Sequence, residues 1–289
     1  DLDRGPRVLS EAVRRGVARR AARVRCNRYR EVMETPEHDS GLGPSAERPT
    51  LVLLPGMDGT GDLFGPLLDV IGDACSAIVV RYPVDQVLNY EQLTRRVLEQ
   101  LPDDRPFVVV AESFSGPIAI RLAALQPRGL IGVVLSATFA RNPTGVSMRL
   151  VRVLAGPLVR IRPPRWFVRW RLLRRSDPQD LVDLAMTTIH RVDPKVFAHR
   201  LVEVASVDVR RERAATKVPI LWMHAKRERL LQVRRWSLQD GAPGMERVVV
   251  LDGPHLLLQS CPTEAWGHIE EFVATCTAAS ERAVETTDS

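Results

Sequence analysis

Long apolar runs are missing from this 289-residue chain. The longest fall well short of the roughly 18 residues that a membrane-crossing helix requires. Aromatic residues are scarce, at 5%, which argues against a stacking surface for single-stranded nucleic acid. The cysteines are Cys26, Cys75, Cys261 and Cys276, with no CxxC pair among them. That spacing speaks against a zinc site or a disulfide framework and favours a reducing compartment. No secretory signal is visible, since the arginine-rich arm RRGVARRAARVR lacks an apolar core segment. Nucleotide-binding signatures are absent too. In LLPGMDGTGDLFGPLL (residues 53–68) the glycines Gly56 to Gly61 are followed by Asp62 rather than Lys-Ser/Thr, and no G-x-G-x-x-G opens a helix.

What is present suits a folded domain. Hydrophobic residues make up 45% and charged residues 26%, ordinary values for a globular protein with a sizeable core. The length fits one large domain, or one domain with an insertion. The net charge of +6 is unevenly spread: residues 1–30 hold ten arginines, and residues 141–176 hold ten more with no acid.

Residues 7–32 read as a basic amphipathic helix and residues 35–50, rich in Pro, Gly and Ser, as a linker. Short apolar runs then alternate with helical patterns. LVLL (51–54), SAIVVRY (76–82), FVVVA (107–111), LIGVVLSA (130–137), VPILWMH (218–224) and RVVVL (247–251) read as strands. Segments 89–101, 117–125 and 263–276 have the helical period. Continuous apolar strands separated by helices mean a mainly parallel sheet covered on both faces, a doubly wound α/β fold. Residues 141–216 interrupt the alternation and read as a helical insertion. The expected organisation is a basic arm and linker (1–48), a core (49–140 and 217–279), the insertion, and a tail (280–289).

In VVVAESFSGPIAI (108–120) a buried strand turns at once into a helix. Sites in parallel sheets form at the carboxyl ends of strands, and Ser113 lies there. A nucleophile on such a sharp turn needs small residues two before and two after it. Ala111 and Ser115 meet that need, and Gly116 follows. Centring the turn on Ser115 instead would put Pro117 where the helix must pack. Ser115 then reads as a packing residue in the place of a glycine. Taken alone, the pattern also suits a serine that merely caps the next helix.

A serine needs a base, and the base needs an orienting acid. In this type of sheet they follow in the order Ser, acid, His, each past a later strand. His255 fits, in a Gly-Pro turn after RVVVL. His38, His190, His199, His224 and His268 are placed less well. Glu228, in the loop AKRERL after VPILWMH, is the candidate acid, although a surface glutamate paired with Arg227 or Arg229 has the same local sequence. Asp252 and Asp208 are alternatives. An oxyanion hole would use the N–H of Phe114, after the nucleophile, and that of Met57, beside Gly56 in the first loop.

With these residues in hand, the chain resembles the α/β-hydrolase superfamily over roughly residues 49–276. Four elements appear in the family's order: LPGMDGTG, AESFSG, AKRERL and LDGPHLLL. The resemblance implies an α/β-hydrolase fold with Ser113 as nucleophile, His255 as base and Glu228 as acid. It also implies Met57 and Phe114 as oxyanion donors and residues 141–216 as a cap over the site. Three features depart from the usual pattern: Ala111 and Ser115 replace glycines, Pro55-Gly56 stands where many members have His-Gly, and the acid is Glu rather than Asp. The implied activity is hydrolysis of a carboxylic ester or thioester through an acyl-enzyme, needing no metal or cofactor. Acyl transfer to an alcohol, or a non-catalytic binding role on the same fold, are the rival expectations.

The arginine-rich stretch 141–176 also carries Trp166, Phe167 and Trp170 among Leu, Val and Ile. It reads as an amphipathic cap favouring apolar acyl chains. The same pattern suits an anionic membrane surface or an anionic substrate such as an acyl carrier. No nucleic-acid reading motif accompanies the charge. The expected partner is a small-molecule ester or thioester. The expected location is cytoplasmic, with a peripheral contact to anionic membrane through arm and cap as the further expectation.

Overall fold

Strand runs that are apolar at every position demand cover on both faces, and the computed structural model supplies it. It describes residues 48–143, 163–231 and 245–287, with side chains to 283, all within the compact unit Ala46–Ser289. The basic arm and nearly all of the linker lie outside the described residues, as do residues 144–162 of the arginine-rich stretch.

The elements run β1 (Thr50–Leu54), α1 (Gly65–Ile71), β2 (Ala77–Val79), α2 (Tyr90–Leu98), β3 (Phe107–Glu112), α3 (Gly116–Leu125) and β4 (Leu130–Ser136). Helices α4 (Arg165–Leu172), α5 (Gln179–Arg191), α6 (Pro194–Ser206) and α7 (Arg210–Ala214) follow. Then come β5 (Ile220–Ala225), β6 (Glu246–Leu251), α8 (Leu257–Ser260) and α9 (Pro262–Thr287). The six strands form one sheet in the order β2-β1-β3-β4-β5-β6, each neighbour parallel. Among the described residues, no helix is long and apolar enough to cross a membrane.

Alternate residues of each strand point to opposite faces, and the two cores divide accordingly. Val52, Leu54, Val109 and Ala111 pack with Tyr90, Leu93 and Val97 of α2 and Ile118 and Leu122 of α3. Leu51, Leu53, Val108 and Val110 pack with Leu67 and Ile71 of α1 and Ala265, Ile269 and Phe272 of α9. A third cluster joins α4 and α5, through Val168, Leu181 and Ala185, to Leu63 and Leu256 beside the sheet's carboxyl edge. Local chemistry sets the helix starts. Asn89 caps α2 by accepting from the Gln92 amide at 2.9 Å, while the Gln92 side chain accepts from the Asn89 amide at 3.0 Å, a reciprocal cap that satisfies two orphan donors.

Several elements differ from the sequence expectation: α1 is not among the expected elements, and α2 ends at Leu98 rather than 101. The strand read over 76–82 is confined to Ala77–Val79. Beyond Val80, Tyr82 donates its amide to the Gly59 carbonyl at 2.8 Å, so residues 81–82 brace the β1–α1 loop instead of extending the sheet. The last helix outruns its expected end at 276 and continues to Thr287. The excursion between β4 and β5 leaves and returns side by side: Asn142 donates to Val207 O at 3.0 Å, and Val209 donates to Ala140 O at 2.8 Å.

Gly116 opens α3 hard against β4. A Cβ there would lie 2.0 Å from Thr138 Oγ1 and 2.7 Å from its Cγ2. Gly116→Ala is therefore expected to destabilise the protein by about 1–3 kcal/mol through overpacking, measured as a lower urea midpoint with an unchanged slope. An unshifted midpoint would show that Thr138 moves aside freely.

Candidate active site

The turn from β3 into α3 puts Ser113 in the left-handed region, at φ +49°, a conformation that a non-glycine residue holds at a cost of about 1–3 kcal/mol. Three polar braces hold it. Thr138 Oγ1 donates to the Ser113 carbonyl. The Tyr90 hydroxyl donates to the Phe114 carbonyl at 3.1 Å, and its ring stacks on Phe114 at 4.7 Å. Ser115 Oγ donates to the Pro55 carbonyl, so its 2.7 Å contact with the Tyr82 hydroxyl must have tyrosine as donor, because a serine hydroxyl has one proton. Burial pushes the Tyr82 phenol above its usual range, which keeps that proton in place. Ser115 is thus more than the packing residue expected from sequence; it ties the turn to the β1–α1 loop. Ala111 is fully buried within β3.

Ser113 Oγ lies 2.8 Å from His255 Nε2. His255 is buried in the turn after β6, and its Nδ1 lies 2.7 Å from Glu228 Oε2. The other Glu228 oxygen accepts the amides of Leu230 at 2.6 Å and Leu231 at 3.1 Å. Burial alone would raise this carboxyl, but His255 and the two amides outweigh it and hold Glu228 below the usual glutamate value. An ionised Glu228 accepts the Nδ1 proton, which leaves Nε2 to accept from Ser113. The expected trio therefore meets in one hydrogen-bonded line. The alternative acids do not join it: Asp252 pairs with Arg227 at 2.8 Å, and Asp208 pairs with Arg210 at 2.6 Å. Among the other histidines, His199 faces Glu203 at 3.7 Å, His224 stacks beside Trp222, and His38 lies outside the described residues.

The β1–α1 loop fixes the orientation of one peptide beside Ser113. The Gly56 carbonyl accepts from Gly59 N at 3.1 Å. Across a trans peptide the N–H points the opposite way, so the Met57 N–H is turned away from that contact. A Cβ on Gly56 would meet only ordinary contacts, Asp58 Oδ2 at 3.5 Å and Ser113 Cβ at 4.0 Å. Glycine is therefore not forced there by a clash; its smallness leaves open the space beside Ser113. The Phe114 N–H, in the first turn after the strand, has no partner within its own helix.

Four residues that the sequence reading missed complete the site. Arg200 of α6 is buried and donates to Met57 O at 2.7 Å and to Pro83 O at 2.8 Å. Tyr82 has been described. Asp58 is buried, with Oδ1 bonded to the Thr60 amide at 2.9 Å and to its hydroxyl; burial raises its carboxyl despite those bonds and the nearby Arg200. Glu112 directly precedes Ser113 and is also buried. Its Oε2 accepts from Gln259 Nε2 at 3.1 Å, while Oε1 has no partner among the described residues. Burial pushes Glu112 up to about 7, opposed by His255 and reinforced by Asp58. The site opens into a cavity of about 490 Å³ whose walls include Leu63, Phe167, Val168, Leu172, Ile189 and Phe197, within the usual size range of small-molecule sites. Among the described residues, no cluster of His, Cys, Asp and Glu is arranged to hold a metal ion.

A family model, the alpha/beta hydrolase family, matches residues 41–266. The chain belongs to the alpha/beta hydrolase family. No curated relative matches it by sequence. Solved structures share its fold at low identity. A thermophilic esterase from Thermogutta terrifontis is 16% identical with TM-score 0.68, over 80% of this chain and 91% of its own. The enol-lactonase from Burkholderia xenovorans LB400 is 18% identical with TM-score 0.59, over 81% and 92%. Proline iminopeptidase from Mycobacterium smegmatis is 16% identical with TM-score 0.61, over 82% and 92%.

The Glu112 carboxyl gives a pH test. Its folded value of about 7 lies above the ordinary 4.5. Stability owed to the neutral form is complete below the unfolded value and is lost as pH rises through the folded one. Glu112→Gln cannot ionise, so relative to wild type it is expected to gain about 3 kcal/mol between about pH 4.5 and about pH 8. Urea unfolding at both pH values measures this, and a pH-independent difference would mean that burial does not hold Glu112 neutral.

Proposed function

We propose that this protein is a serine hydrolase that cleaves a carboxylic ester or thioester with an apolar acyl group. One observation carries the reading: the hydrogen-bonded line Ser113–His255–Glu228 ends at the floor of a cavity walled by Leu, Ile, Val and Phe side chains. In this reading α4 to α6 cap the site and hold the acyl chain.

The chemistry follows from the geometry. Ser113 Oγ attacks the acyl carbonyl while its proton passes to His255 Nε2. The negative carbonyl oxygen is held by the N–H groups of Met57 and Phe114. Ionised Glu228 stabilises the imidazolium and keeps the ring oriented. His255 then gives its proton to the leaving alcohol or thiol, and an acyl-enzyme remains. Water, deprotonated by His255, repeats the sequence on the acyl-enzyme and releases the carboxylic acid and free Ser113.

Ser113→Ala is expected to lower hydrolysis of p-nitrophenyl hexanoate at least about a thousandfold and to abolish labelling by a fluorophosphonate. Wild-type turnover that survives in the variant would remove Ser113 from the reaction.

A peripheral contact with anionic membrane is a second proposal, supported by α4. Trp166 is 68% exposed and Trp170 50% exposed on its outer side, with Arg171 stacked over Trp170 at 5.2 Å, while Phe167 and Val168 line the cavity. Exposed indoles beside arginines suit the headgroup region. Replacing both tryptophans by alanine is expected to weaken co-sedimentation with phosphatidylserine vesicles about tenfold; undiminished binding, or no binding by wild type at low salt, would remove the proposal.

A further inference from the structure

The hydrolase reading leaves two buried acids unused. Glu112 and Asp58 line the same cavity as Ser113 and His255, yet neither is in the hydrogen-bonded trio. Glu112 Oε1 is a buried acceptor with no partner among the described residues. Such an atom is costly to leave unpaired and is accounted for when a ligand supplies the missing group. Asp58 Oδ2 faces the space over Gly56, 3.5 Å from where a Cβ would lie and on the same side as Ser113.

We propose that these two carboxyls bind free hydroxyl groups on the alcohol part of the substrate, so that the ester cleaved at Ser113 is a polyol ester of glycerol type. The inference rests on the hydrolase reading and adds the leaving group to it. Three features select this chemistry. First, position: the acyl chain has the apolar walls of α4 to α6, whereas Glu112 abuts Ser113 in sequence and lies within electrostatic reach of His255. The leaving alcohol takes its proton from His255, so its remaining hydroxyls come to the same side. Second, charge: Arg171 lines the cavity and Arg200 acts on Asp58, so a cationic alcohol would meet guanidinium groups as well as carboxyls. Third, proton economy: a carboxyl that titrates near neutrality accepts in one form and donates in the other. A hydroxyl satisfies both forms. An ammonium group satisfies only the carboxylate, and a carbonyl only the acid.

The test compares glycerol monohexanoate with ethyl hexanoate, which share an acyl group. Wild type is expected to favour the glycerol ester in kcat/KM by about tenfold, the effect of one charge-assisted hydrogen bond. Glu112→Gln, whose amide still accepts and donates, should keep most of that preference. Glu112→Met, similar in shape but without a polar group, should bring the ratio close to one. The same two esters are titrated calorimetrically onto Ser113→Ala, which needs no change at Glu112. Tighter binding of the glycerol ester there, with neither ester cleaved by wild type, would overturn the hydrolase reading and keep the polyol site. Equal binding of the two esters, or a ratio that Glu112→Met leaves at the wild-type value, would overturn the polyol site while hydrolysis of p-nitrophenyl hexanoate still stood.

Discussion

The left-handed backbone at Ser113 is the constraint on which the rest of the site depends. A serine does not adopt that conformation unaided. The structure over-determines it, with Thr138 on the Ser113 carbonyl, Tyr90 on the Phe114 carbonyl, and the Tyr82–Ser115–Pro55 chain tying the turn to the neighbouring loop. Those partners come from α2 and from the segments after β1, β2 and β4. The turn therefore reads the registration of much of the sheet.

Four carboxyl or phenol groups around that turn are sorted by their surroundings. Glu228 keeps its charge because two amides and an imidazole compensate for burial. Glu112 has only Gln259 as a hydrogen-bond partner, and Asp58 is buried deeply enough that its bonds to Thr60 and the nearby Arg200 do not compensate, so both are pushed toward the neutral form. Tyr82 is held protonated by burial. One acid is thus held charged beside the His255 imidazole, and two others facing the same cavity are shifted toward their neutral forms. Separation of ionisation among neighbouring groups is how a site divides acid and base roles.

Much of this was legible in the sequence because strands buried on both faces are written as unbroken apolar runs. Five of the six strands fall within two residues of their expected bounds. Ser113, Glu228 and His255 could be found because each sits just beyond such a run. The exceptions have physical causes. SAIVVRY looked like seven residues of strand because composition does not say that Tyr82 is bonded to the Gly59 carbonyl. Helix α1 leaves no sequence signal, since the short GPLLDVI follows a glycine-rich loop and has too few turns to show a period. Glu112 occupies the variable position before Ser113, where the local pattern gives it no signal. Arg200 was hidden most deeply: its role depends on a carbonyl 143 residues away, and nothing local separates it from the other arginines of a basic segment.

Arg200 has a consequence for how the molecule can change. It sits on α6, in the excursion between β4 and β5, yet it holds the carbonyl of Met57 in the loop beside Ser113. The excursion and the β1–α1 loop are therefore not modular. A graft of another hydrolase's helices at 141–208 would import a new cavity and discard the guanidinium anchor of the host loop. Phe167, Ile189 and Phe197 line the cavity without such a bond to the loop, so exchanging the helices while keeping the loop anchored calls for an arginine, or an equal donor, over Met57.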